Sequence, residues 1–231
     1  MLRTTGWTSS SWRALGLAAV ITAAAFGPQA ARAATVMDPA GDFLSTYTGP
    51  QNGDLDVLSV GATEDGTNVT LTATLNGPIG TTAGEAYVFG VNRGGGQPLL
   101  TFGSPSVGAG VNFDAVVALL PGGGSFVDLV LPTAQAPVTL TDVTFSGATL
   151  TAVVPLADLP SDGVLAAKYL YNLWPRDGLN TMDNGQIADF APDASSFFAS
   201  IPEPAAWGLL LTGFGLMGAR LRRRRPAGAA C

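Results

Sequence analysis

The 231-residue chain has no histidine and a single cysteine, its last residue, which excludes an intrachain disulfide, Ser-His-Asp and Cys-His nucleophile systems, and the usual His- or Cys-ligated zinc sites. Its net charge of −6 averages unlike regions: residues 34–200 hold three basic residues, Arg93, Lys168 and Arg176, against sixteen acids, a balance of −13, so the basic footprint that nucleic-acid binding needs is missing. Thirty glycines and sixteen prolines, beside abundant Thr and Val, favour many short strands over long helices.

Residues 1–33 read as a signal peptide. Arg3 and Arg13 lie in a polar start, an apolar run covers 14–26, and Pro28 precedes the small residues around Ala31 and Ala33. The run is short for a membrane span, and Ala31 and Ala33 stand where a leader peptidase inspects small side chains, so cleavage is predicted after Ala33.

The stretch 34–190 is expected to be one domain, large enough to bury its own core. Its opening holds Asp38, Asp42, Asp54 and Asp56 among Gly and Pro, hard oxygen donors that could ligate Ca²⁺ in an irregular loop, although their spacing matches no EF-hand. Residues 68–75 alternate strictly, with Val69, Leu71, Ala73 and Leu75 on one face and Thr70, Thr72 and Thr74 on the other, a strand with one wet face. Regular Thr faces occur in ice-binding proteins, but one strand is not an array, and Thr suits any exposed strand face. The turn signal at 64–67 pairs this strand with 56–62 as a hairpin.

Further strands are predicted over 86–92, 99–102, 113–120, 126–131, 143–145, 149–154 and 168–173, with 113–120 and 126–131 joined through the Gly-rich turn 121–125. Nine short strands separated by close turns predict a mostly β fold, an antiparallel β-sandwich of jelly-roll or DOMON-like kind. Trp174, the only Trp of 34–200, lies with Tyr169, Tyr171 and Arg176 in one stretch. Trp174, Tyr171 and Arg176 could form an aromatic platform with a polar clamp for a glycan; the alternative is a core aromatic followed by a Pro turn. Asp183, Asn184, Asp189 and Asp193 make a second loose oxygen-donor group, and residues 191–201 read as a linker. No pair of acids has a flanking feature that would single out an acid and a base, so no catalytic residue is expected.

The C-terminal end has three parts in order: Pro202-Glu203-Pro204 with Trp207, an apolar run over 205–219, and a basic cluster of Arg220, Arg222, Arg223, Arg224 and Arg225 before the tail 226–231. As a helix the run spans ~22 Å at ~1.5 Å per residue, short of the ~30 Å hydrocarbon core. The arginines stop transfer and keep the last residues cytoplasmic, leaving the acidic domain outside.

This tail, residues 202–225, resembles the PEP-CTERM sorting signal in the variant where Trp follows the Pro-Glu-Pro, with Gly208 where that variant usually has Ala. The resemblance implies that an exosortase-type membrane peptidase recognises the chain, at the surface of bacteria that commonly make extracellular polysaccharide. The opening 38–42 and 53–57 resembles the start of DOMON-like and family-nine carbohydrate-binding sandwiches, which implies a sandwich fold. The expectation is an exported cell-surface or extracellular-matrix protein, processed by signal peptidase and exosortase, with a non-catalytic structural or binding domain. A Ca²⁺-dependent carbohydrate-binding module and a carboxylate-based glycan hydrolase are the alternatives.

Overall fold

The computed structural model describes residues 34–201 together with 214, 215 and 217. The signal peptide, the sorting motif, the arginine cluster and the tail lie outside the described residues, as does the apolar run except for Phe214, Gly215 and Met217, which are helical. Among the described residues no helix is long and apolar enough to cross a membrane.

Eleven strands form two antiparallel sheets, so the predicted β-sandwich is the fold. The first sheet runs β1 (Ala34–Met37), β2 (Val57–Glu64), β3 (Asn68–Leu75), β9 (Thr149–Pro155) and β8 (Val143–Ser146) in spatial order. The second runs β11 (Phe197–Phe198), β10 (Leu170–Arg176), β4 (Ala86–Asn92), β5 (Ala115–Leu119), β6 (Phe126–Leu129) and β7 (Val138–Thr139). The predicted β2–β3 and β5–β6 hairpins form as expected. Apolar positions two apart on β3 and β9 (Val69, Leu71, Ala73, Leu75; Leu150, Ala152, Val154) face Tyr87, Phe89, Val91, Val117 and Leu119 of the second sheet in one buried core.

The two outer faces differ. That of the second sheet is covered by a smaller cluster in which Trp174 packs on Phe113 (centroids 5.1 Å apart) and Phe190 (6.2 Å), joined by Val88, Val111 and Ile187. Gly90 makes room for it, because a Cβ there would run into the Trp174 ring. That of the first sheet is open to water and uncharged. Register places Thr35, Gly61, Thr72, Thr151 and Thr144 in one row, with Met37, Ser59, Thr74, Thr149 and Ser146 in the next. The Thr ladder legible on β3 thus extends across the sheet.

Three expectations are corrected. Residues 99–102 form a single 3-10 turn (Leu99–Phe102), entered from Pro98, whose carbonyl accepts the Thr101 amide, rather than a strand. The strand expected to stop at 173 runs to Arg176 through Pro175. Residues 191–201 are not a linker: Ala191 exchanges both backbone hydrogen bonds with Leu173, Phe197–Phe198 pairs with β10, and Ser200 bonds Ala62 and Glu64 of β2. Ala191, Phe197 and Ala199 are buried, so the packed body reaches 201 rather than ending at 190.

A candidate cation site of buried carboxylates

Met37 ends β1, and the chain turns away from β2 at Asp38, whose amide is still held by the Leu58 carbonyl at 3.0 Å. Gly41, at φ 78°, takes the left-handed conformation that Gly adopts at little cost, and directs its amide to Asp56 Oδ2 at 2.9 Å. Asn76 Nδ2 donates to the same oxygen at 2.8 Å. Leu44 then ties the loop to the 187–191 segment through the Ala188 carbonyl. This lacing brings Asp42 and Asp38 against Asp189, nearly 150 residues later in the chain.

Asp38, Asp42 and Asp189 each offer a carboxylate oxygen within 4.8 Å of the other two. Two ligands on opposite sides of an ion bound at ~2.4 Å would lie ~4.8 Å apart, so this spacing can accommodate a Ca²⁺-sized ion. Asp189 is oriented from behind, by the Val57 amide on Oδ2 (3.0 Å) and the Phe190 amide on Oδ1 (2.7 Å). In contrast, Asp38 Oδ2, both oxygens of Asp42 and Asp56 Oδ1 are buried and take no hydrogen bond from another residue. Buried polar atoms are nearly always paired, so three orphaned acceptors on Asp38 and Asp42, beside Asp189, indicate a positive partner.

The electrostatics agree. Asp38 is pushed up to about 8, first by burial and then by the charges of Asp189, Asp42, Asp193 and Asp56. Asp189 is pushed up to about 7 by burial, with Asp42 and Asp56 adding to it and the two amides opposing. Burial, Asp193 and Asp56 likewise raise Asp42. Carboxylates that raise one another in this way are relieved by a bound cation.

Of the first predicted group, therefore, Asp38 and Asp42 meet at the site, Asp56 adjoins it through the Gly41 amide, and Asp54 does not belong. Asp54 is fully buried at the 53–55 turn and is used up by the Thr82 amide (2.6 Å) and hydroxyl (2.8 Å). Of the second group only Asp189 takes part, with Asp193 close enough to act by charge. Asp183 caps the turn 184–186 by accepting the Gly185 amide, and Asn184 holds the Leu100 and Pro105 carbonyls. The missing signal was the pairing of the 187–191 segment with Leu44 and Val57, which no local pattern displays.

The aromatic platform is corrected outright. Trp174 is 1 % exposed and Tyr171 not at all, so neither can stack on a sugar from outside. Arg176, also buried, donates to the Asn180 and Asp183 carbonyls and to Gln186 Oε1, closing the 177–186 loop. Elsewhere, a groove of about 450 Å³ runs past Thr82, Leu120, Leu179 and Glu85. Burial and a hydrogen bond to Asp54 push Glu85 up to about 7, but Asp54 is sealed in and bound by Thr82, so the pair offers no second group to a substrate.

No protein-family model matches the chain, and no curated protein matches it in sequence.

Proposed function

We propose that this chain is an exported cell-surface or extracellular-matrix protein whose β-sandwich is a non-catalytic structural or binding domain stapled by Ca²⁺ at Asp38, Asp42 and Asp189. The observation that carries the reading is the set of buried, unpartnered oxygens on Asp38 and Asp42 beside a carboxylate brought from residue 189. Calcium suits it better than magnesium because the donors come from irregular loops, which its flexible coordination tolerates, whereas Mg²⁺ demands near-ideal octahedral geometry and keeps its waters. The bound ion would tie the opening loop to the 187–191 segment by charge rather than by an extended ladder.

The leader 1–33 and the tail motif Pro202, Glu203, Pro204 and Trp207 support the exported half of the reading, with signal peptidase and an exosortase-type peptidase as processing partners and extracellular polysaccharide as the surroundings. Two experiments test the two halves. Isothermal titration with Ca²⁺, followed by melting in calcium and in EGTA, is expected to show binding and a higher Tm in calcium; no binding would end the staple. Intact-mass analysis of the protein from its host's surface fraction is expected to lack 1–33 and the residues beyond the Pro-Glu-Pro region, and a retained tail would end the sorting reading.

A further inference from the structure

Resting on that cation reading, we infer that the site is also a latch that controls the C-terminal segment 189–201. The segment is rooted at the site: Asp189 is one of the three carboxylates, and Ala191, two residues on, makes the pair of backbone bonds to Leu173. Beyond that root Phe197 and Ala199 reach into the core, but its backbone attachments are few. Asn172 Nδ2 holds the Pro192 and Ser195 carbonyls, β11 pairs over only two residues, and Ser200 makes one bond in each direction with β2.

The other side of the latch is the domain's first element. Asp38 follows β1 directly, and β1 lines the same edge of β2 that Ser200 reaches: Ala34 pairs with Ala62, and Ser200 bridges Thr63, the next position along. The two ends of the sandwich therefore share one strand edge, and the carboxylate site joins the loop after one end to the root of the other.

Without a cation, repulsion among Asp38, Asp42 and Asp189 acts between these two chain sections and favours parting them. With one, the same groups pull them together, and every opening of the segment that breaks the site must also release the ion. Free calcium is scarce inside cells and plentiful outside, so the latch closes on export. It sets how ordered the segment 189–201 is and how open its backbone is to solvent.

The test is hydrogen exchange on the full chain, in EGTA and in calcium at about 100 times its Kd, where ion-linked opening is expected to slow roughly 100-fold. Peptides covering 189–201 and Glu64 are expected to show this slowing, as is the β3–β9 ladder, whose exchange by global unfolding also releases the ion, whereas the β6–β7 edge, which frays without touching the site, is expected to stay unchanged. Asp42→Asn, at the less buried ligand, is expected to remove the calcium effect on 189–201 with β3–β9 protection in EGTA kept. Calcium that binds by titration and slows β3–β9 but leaves 189–201 unchanged overturns the latch and leaves the staple standing; absence of binding overturns both.

Discussion

Asp189 Oδ2 accepts the Val57 amide at 3.0 Å although 132 residues separate them. That bond fixes the one cation ligand contributed by the C-terminal half, and because the donor is the backbone amide, only proline at 57 would remove it.

The pH dependence of stability is expected to invert between cation-free and calcium-bound protein. Asp38 and Asp189 titrate near 8 and 7 in the folded state, against about 3.9 for Asp in an unfolded chain. The native state thus holds protons the unfolded chain has released, so this contribution to stability is complete below about pH 4 and is lost as pH rises through 7 and 8. Melting in EGTA should show Tm falling from pH 5 to pH 9, and the gain from calcium, which binds the ionised carboxylates, should grow over the same range. Glu85, raised to about 7 outside the site, leaves a smaller fall that calcium does not correct. A calcium gain independent of pH would contradict the assignment.

Arg93 and Asp114 form the salt bridge of the described residues, Nε to Oδ1 at 2.8 Å with both side chains buried. The arginine also donates to the Pro160 and Leu131 carbonyls, and the carboxylate also accepts the Arg93 and Gly95 amides. Asp114→Ala leaves a buried guanidinium unpaired and is expected to lose about 3–5 kcal/mol in urea unfolding. Arg93→Lys keeps the charge but not the fork of donors, and should fall between it and the wild type.

Trp174→Ala is expected to cost about 3–5 kcal/mol as a core truncation. Gly90→Ala, which drives a methyl against the same ring, should cost about 1–3 kcal/mol by overpacking. Both are read by denaturant unfolding, with Trp174 fluorescence as reporter in the Gly90 variant. If Trp174 instead formed a surface platform, its replacement would leave stability nearly unchanged.

Chains that end at 190 and at 201 should differ sharply. The first lacks Ala191, Phe197 and Ala199 from the core and leaves the β10 and β2 edges unpaired. It is expected to melt cooperatively but at a clearly lower Tm than the longer chain; equal Tm values would restore 191–201 to the status of a linker.

The sandwich was legible because period-2 alternation on β3 and the turn signals around β2 and β5 are local patterns. Pro175 was misread as a turn, since a proline usually ends a ladder. In β10 its carbonyl faces Ala188, so its missing N–H lies on that side and costs the pairing with β4 nothing. The 191–201 stretch read as a linker because its pairing partners, Leu173, Tyr171 and Ala62, are remote. The cation site was half visible: Asp38 and Asp42 stood out by their loop, but only tertiary pairing exchanges Asp54 for Asp189. The Trp174 stretch gave an aromatic cluster without revealing that both faces of its sheet are covered.

The strands that bound the sheets are all short: β1 and β8 have four residues each, and β7 and β11 two, while the long strands β2, β3, β4, β9 and β10 are interior. A row of open backbone groups this brief is a poor template for adding strands from another molecule. Backbone-to-backbone fibre growth is therefore suppressed by architecture. Association between copies is left to side chains and to ions, which can be reversed by a change in the medium.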